Sequence, residues 1–313
     1  MIVTLTLNPA VDISLTVDRL TPEHRLRCSE PHRNAGGGGI NVSRAIQQLN
    51  GQSMALFTSG GTTGLTLQNL METAGISFQI IGIAESIRES FSISEATSSQ
   101  QFQLCTPGPT LSPGEAAACL AHLETLSVPI DYLIISGSLP LGLPTDFYAQ
   151  IARIANKKQF RLIIDTAGEP LRAALDEGVF MIKPNLGELA ELVGVDKLET
   201  EHIGEVALKL IHQNKCEIVV VSLGARGAML VTADGQDYVQ APPVKQISTA
   251  YTGDSLVGGM VHALSKGQSY AEMIRLGVAC GTAATMTNTE LFNAVDVEPL
   301  VKWLNHQRQF QPA

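Results

Sequence analysis

"NAGGGGINVSRA", Asn34 to Ala45, holds four consecutive glycines, Gly36–Gly39, and runs straight into a stretch with helical periodicity. How this run is read decides the fold. Glycines let a backbone come close to a ligand. In a dinucleotide-binding unit such a loop directly follows the first strand, and an acid stands about 20 residues further on, at the end of the second. Neither condition is met. The first apolar run, "IVTLTL" (Ile2–Leu7), lies well upstream, and the next, "SMALFTSGG", ends without an acid. There is also no G-x-x-x-x-G-K-[ST] phosphate loop and no G-x-S-x-G nucleophile elbow. The loop belongs to a different α/β fold.

Working outward, short apolar runs alternate with helical patterns. "YLIIS" (Tyr132–Ser136), "RLIID" (Arg161–Asp165), "VFMIK" (Val179–Lys183) and "EIVVVS" (Glu217–Ser222) read as buried strands. "INVSRAIQQL", "GEAAACLAHLETL", "PTDFYAQIARIA" and "EHIGEVALKLIHQ" read as helices. The alternation predicts a mostly parallel sheet covered on both faces. Polar residues follow the strands: Asn8 and Asp12, Asp165, Lys183 and Asn185, Ser222 and Gly224. Ligands of open parallel sheets bind beyond the carboxyl ends of the strands, so these positions form one candidate site.

Residues 12–34 and 86–104 break the pattern. The first segment is polar and strand-like. The second alternates apolar and polar residues, as in Phe91-Ser92-Ile93-Ser94, with "ATSSQ" as a turn. Together they predict a small flap with one apolar face, which needs the main domain or another subunit as partner. No internal repeat or low-complexity linker interrupts the chain.

The 313 residues allow one large domain or two smaller ones. With 44% apolar and 16% charged residues, a sizeable core is expected. No apolar run approaches the roughly 20 residues of a membrane helix. The opening "MIVTLTLNPAVD" lacks a basic leader, and the five cysteines are scattered without metal-type spacing, so a cytoplasmic protein with free thiols is expected. A formal net charge of −9 argues against nucleic acid or an anionic membrane as partner. A small anionic substrate could still be held by local arginines.

Three further stretches carry chemistry. In "AYTGDSLVGG" (Ala250–Gly259), Gly253 and Asp254 stand just before a helix, a place for a buried carboxylate and a pocket of backbone N–H groups; Tyr251 and Thr252 precede them where small residues are expected. In "KPNLGELAEL", Asn185 and Glu188 stand three apart, suited either to reciprocal helix capping or to a hydrated Mg²⁺. "SLGARGA" (Ser222–Ala228) is a glycine-rich turn between strands.

Taken in order, "TLNPAVD", "GGGGINVSRAI", "TPGP", "ISGSLP", "IIDTAGE", "KPNLGEL", "VVVSLGARGA" and "TGDSLVGGM" resemble the ribokinase-like, PfkB-type carbohydrate kinases over nearly the whole chain. The G-G-G-G-I-N loop is most similar to the 6-phosphofructokinase isozyme 2 subgroup. The resemblance implies a three-layer α/β ribokinase-like fold, a mostly parallel central sheet with a small β-sheet lid. Residues 1–313 would form one kinase domain with 12–34 and 86–104 as lid segments. It also implies roles. Asp254 would accept the proton of the sugar hydroxyl, and the N–H groups around Gly253 would form an anion hole. Asp12, Gly38, Gly39 and Asn41 would hold sugar hydroxyls. Arg25, Arg27, Arg88 and Ser138 would surround the sugar phosphate. Lys183, Asn185, Ser222, Gly224 and Gly227 would line the ATP site, and Glu188 with Asn185 would organise Mg²⁺ through water. Homodimers joined through the lid strands are a habit of the family.

Two departures stand out. The common G-A-G-D loop is here Tyr251-Thr252-Gly253-Asp254. Where relatives place Asn, Gly and Arg near a monovalent cation, this chain has Thr287, Thr289 and Leu291, so potassium activation does not carry over. The expected activity is ATP-dependent phosphorylation of fructose 6-phosphate. The alternatives are a 1-phosphofructokinase or tagatose-6-phosphate kinase, or a weakened relative that binds sugar phosphate or nucleotide in a regulatory role.

Overall fold

The computed structural model describes residues 1–98, 100–287 and 291–308. It begins with β1 (Ile2–Thr6), β2 (Ala10–Val17), β3 (His32–Gly36), α1 (Gly38–Gln48), β4 (Ser53–Ser59), α2 (Gly61–Thr73) and β5 (Phe78–Gly82). There follow β6 (Arg88–Glu95), β7 (Gln101–Cys105), α3 (Pro113–Thr125), β8 (Tyr132–Ser136), α4 (Phe147–Lys158), β9 (Arg161–Asp165), α5 (Gly168–Asp176) and β10 (Val179–Ile182). The chain closes with α6 (Leu186–Leu192), α7 (Ile203–His212), β11 (Cys216–Ser222), β12 (Ala228–Thr232), β13 (Gly235–Val239), α8 (Thr252–Ser265), α9 (Tyr270–Ala284) and α10 (Ala294–Arg308).

Nine strands form one sheet in the order β13-β12-β11-β10-β9-β8-β1-β4-β5. It is parallel from β5 to β11, and β12 and β13 are antiparallel additions at one edge. The apolar runs are continuous because both faces are covered. In β11, Val219 and Val221 join the core beneath α4 and α7, while Ile218 and Val220 join the core beneath α8 and α9. This is the three-layer arrangement expected. Helix α8 lies against both α1 and α9, and its small residues permit it: a Cβ on Gly258 would stand 2.5 Å from the Ala45 Cβ, and one on Gly259 would stand 2.9 Å from the Cys280 Sγ. The start of α8 is thereby fixed over the carboxyl ends of β1 and β8.

A second sheet of four strands, ordered β3-β2-β6-β7, forms the lid. Its register places Ser14, Ser92 and Gln103 side by side on one face and Ile13, Phe91 and Leu104 on the other. The apolar face packs through Val11 and Ile13 onto Leu67 and Met71 of α2, while Phe102 and Leu104 remain 37% and 54% exposed. One expectation needs correction. Residues 12–34 are not strand-like throughout. Between β2 and β3 the chain is exposed and outside the ladders, apart from a single bridge from Val17 to Cys28. Pro22 and Pro31 fall in this stretch, and proline cannot donate to a ladder. The lid strands also begin at Ala10 and end at Cys105, slightly outside the expected limits.

Candidate active site

Consecutive strand ends set the site. The register of β8 on β9 puts Ser136 beside Asp165, and the next strand, β10, ends immediately before Lys183. Asp254 stands in the first turn of α8, opposite them. Its Oδ1 accepts from the Ser136 hydroxyl at 3.0 Å and its Oδ2 from the Asn41 amide at 2.9 Å. Asn41 comes from the first turns of α1, directly after the glycine run. A Cβ on Gly38 would lie 2.2 Å from the Ser136 Oγ, which is why this approach of α1 to β8 needs glycine.

The electrostatics suit a base. Burial, reinforced by the like charge of Asp165, pushes the Asp254 carboxyl up to about 6, against the two hydrogen bonds and the nearby ammonium of Lys183. Lys183 is 6% exposed and pairs with Asp165 at 3.1 Å. Its burial works against the charge, but Asp165, Glu188 and Asp254 outweigh it and hold the ammonium above its ordinary value. A Cβ on Gly253 would lie 3.5 Å from the Lys183 Nζ, so that cation sits under the start of α8. The first intrahelical bond, Ser255 N–H to Tyr251 C=O, leaves the N–H groups of Thr252, Gly253 and Asp254 without helical partners, as at any helix start.

Two cavities meet here, and Gly38 lines both. The larger, about 630 Å³, is lined by Ser136, Ser138, Asp165, Glu188 and Asp254. The smaller, about 240 Å³, lies under the lid and is lined by Asp12, Ser14, Asn41, Arg88, Ser90 and Tyr251. The carboxylate and helix start between them can take a proton from an alcohol on the lid side and stabilise an anion on the other.

Of the sugar-site residues expected from the sequence, Asp12, Gly38, Asn41 and Arg88 line the smaller cavity. Gly39 is buried behind it in α1. Ser138 lines the larger cavity, yet it is tied to Arg88 through one residue: the Asn8 amide donates to the Ser138 Oγ at 3.1 Å, and the Asn8 carbonyl accepts from the Arg88 Nε and Nη2 at 3.4 and 3.3 Å. Arg25 and Arg27 are exposed in the loop between β2 and β3 and line neither cavity. Ser222 forms a bridge with Asn185 where β11 and β10 end, and its N–H bonds the Pro184 carbonyl at 3.0 Å. Gly224 and Gly227 shape the turn into β12, closed by Leu223 N–H to the Gly227 carbonyl.

Asn185 and Glu188 form a reciprocal cap on α6: the Asn185 Oδ1 accepts from the Glu188 N–H, and the Glu188 Oε2 accepts from the Asn185 N–H. Among the described residues no cluster of three or more His, Cys, Asp or Glu could hold a metal ion. Glu188 lines the larger cavity and offers one carboxylate, which would suit a largely hydrated Mg²⁺.

The altered loop is resolved. Tyr251 is left-handed, with φ of 60°, where a side chain costs about 1–2 kcal/mol. Its side chain turns into the smaller cavity, and the Thr252 hydroxyl turns back onto the Thr249 carbonyl at 3.0 Å. Neither residue lines the larger cavity, where the helix start is represented by Asp254. Leu291 is buried in the core under α9 and α10; Thr287 is partly buried, and Thr289 lies outside the described residues.

Sequence reasoning missed Ser136 and Arg44, and gave Asp165 no role. Ser136 and Asp165 had a signal, a polar residue closing an apolar strand. Arg44 had none: its guanidinium bonds the Asn41 Oδ1 at 3.2 Å and the Ala35 carbonyl at 2.9 Å, contacts that only the packing of α1 creates.

A buried carboxylate and a helix start between the larger cavity and a lidded one suit a phosphotransferase with an alcohol as acceptor. Comparison with known proteins narrows the class. The chain belongs to the pfkB family of carbohydrate kinases, matched over residues 5–289, and is an ATP-dependent carbohydrate kinase. It is 39% identical over 298 residues to an ATP-dependent 6-phosphofructokinase isozyme 2 of Mycobacterium tuberculosis, covering 95% of this chain and 88% of that one. The crystal structure of phosphofructokinase-2 from Escherichia coli in complex with substrates and products is 35% identical and superposes with a TM-score of 0.92, covering 97% of this chain and 99% of that one. A tagatose-6-phosphate kinase of Staphylococcus epidermidis is 31% identical over 94% of this chain and 97% of its own length. No helix among the described residues is long and apolar enough to cross a membrane.

Proposed function

We propose that the protein is a 6-phosphofructokinase, transferring the γ-phosphoryl group of ATP to fructose 6-phosphate and giving fructose 1,6-bisphosphate and ADP. The observation that carries this is the placement of Asp254, held by Ser136 and Asn41 where the two cavities meet. Asp254 takes the proton of the sugar hydroxyl as its oxygen attacks the γ-phosphorus and the bond to the bridging oxygen of ADP breaks. The N–H groups of Gly253 and its neighbours, with Lys183, stabilise the charge on the moving group. Asp12, Gly38, Gly39 and Asn41 hold the sugar, and Arg88 and Ser138, linked through Asn8, meet its phosphate. Asn185, Ser222, Gly224 and Gly227 form the nucleotide side. Mg²⁺ carried near Glu188 would neutralise the phosphates.

Arg25 and Arg27 line neither of the two site cavities, and the apolar lid face carries exposed Phe102 and Leu104. Both facts support a homodimer joined lid to lid, in which these arginines complete a phosphate site. The tagatose-6-phosphate kinase relative supplies a second reading, with the same chemistry on an epimeric sugar. A coupled ADP-release assay with ATP–Mg²⁺ against fructose 6-phosphate, fructose 1-phosphate, tagatose 6-phosphate and the free sugars decides between them. Highest kcat/KM with fructose 6-phosphate is expected. Turnover of another sugar alone would reassign the substrate, and no turnover would leave a binding role.

A further inference from the structure

The tyrosine that interrupts the catalytic loop faces the acceptor, not the nucleotide. Its hydroxyl donates to the Asp12 Oδ2 at 3.3 Å, and the Arg44 guanidinium lies over its ring, 5.9 Å from the centroid. Arg44 also holds Asn41, which in turn holds Asp254. Tyr251 thus sits on the carboxylate expected to bind sugar hydroxyls and connects by packed contacts to the base. Its phenolic proton is committed to Asp12, so the phenol oxygen can only accept. That end of the cavity presents two acceptors side by side, a phenol oxygen and a carboxylate. Such a surface takes hydroxyl donors from neighbouring carbons, and it is sensitive to which side of a sugar ring they occupy. A site built to hydrogen-bond a hydroxyl discriminates strongly against an analogue that cannot offer it.

We propose that Tyr251 is a specificity-determining residue of the acceptor site, reading with Asp12 the configuration of adjacent hydroxyls on the sugar. The proposal rests on the smaller cavity being the sugar-phosphate site. Fructose 6-phosphate and tagatose 6-phosphate differ in the configuration of one ring hydroxyl, which makes them the probe. Their kcat/KM ratio is measured for the wild type, Tyr251→Phe, which keeps the ring and backbone, and Tyr251→Gly, which removes the side chain and the left-handed strain. The expected result is a wild-type preference that shrinks at least about tenfold in Tyr251→Phe. It shrinks further in Tyr251→Gly. The change lies in KM for the sugar, with KM for ATP unmoved. A wild-type ratio near one, a ratio unchanged in both variants, or an equal fall in kcat for both sugars overturns the proposal, the last leaving Tyr251 as loop support only. If the wild type turns over neither sugar, the phosphofructokinase reading fails on its own. Calorimetric Kd values for the same two sugar phosphates then give the ratio, and equal shifts in the variants, or binding of neither, overturn the inference as well.

Discussion

At Asp254 the proposed base and a pH-dependent contribution to stability fall on one carboxyl. Its carboxyl is raised to about 6, so activity should climb through that pH as the base ionises. Asp254→Asn should lower kcat about 10²–10⁴-fold, remove this acid limb from the pH profile, and leave ATP affinity nearly intact. The same shift acts on folding. A carboxyl whose folded pKa lies above its ordinary value of 3.8 helps stability below that pH, and the help is lost as pH rises through about 6. The neutral asparagine escapes this loss. The melting temperature of Asp254→Asn relative to wild type should therefore be more favourable at pH 7.5 than at pH 4.5, a difference that scanning calorimetry reads directly. At the same scale, Arg88 is held toward the lidded cavity by the Asn8 carbonyl and the Ser90 hydroxyl. Arg88→Ala should raise KM for the sugar phosphate at least about tenfold, because a charge-assisted bond is typically worth about 1.5–3 kcal/mol. KM for ATP should stay within about twofold, because Arg88 lines the lidded cavity and not the larger one. Equal rises in both constants would remove Arg88 from the phosphate site.

Among the elements, α8 and α9 matter most, since α9 backs the helix that carries the base. The α9 start is a full capping box, with the Ser269 Oγ accepting from the Glu272 N–H and the Glu272 Oε2 accepting from the Ser269 N–H. Ser269→Ala should cost about 1 kcal/mol, read as a lower urea midpoint at unchanged m-value, with KM values unaffected. The Asn185–Glu188 box was read in the sequence, whereas the S-x-x-E box of Ser269 and Glu272 was overlooked; the strands were legible because a buried parallel strand is a continuous apolar run. The loop between β2 and β3 was misread. Alternation there is not sustained, and the two prolines were the available warning.

At the scale of the molecule, the lid leaves an apolar face partly uncovered while its polar face looks into the site. Light scattering should give about twice the 33.3 kDa chain mass at micromolar concentration. Leu104→Asp, on the exposed edge strand of that face, should shift the protein to monomer and raise KM for the sugar phosphate together with the loss of the dimer. A monomeric wild type would end the lid-to-lid proposal and leave Arg25 and Arg27 as solvated surface charges.

The sequence by itself determined the layers, the two-sided burial of the main strands, the placement of a carboxylate at a helix start, and the family. These are properties of near neighbours along the chain, where periodicity, capping and turn chemistry act. Tertiary structure alone decided which side chains meet. Asn41 and Asp254 are 213 positions apart, and Tyr251 and Asp12 are 239 apart. The sequence marked Tyr251 as standing where a small residue is expected, and the backbone there is left-handed. That the ring would turn under the lid onto Asp12 follows only from the packing of α8 between α1 and α9 and from the position of the lid strand β2, which carries Asp12, above it. Such pairings are set by the space left between packed elements, and no local pattern records that space.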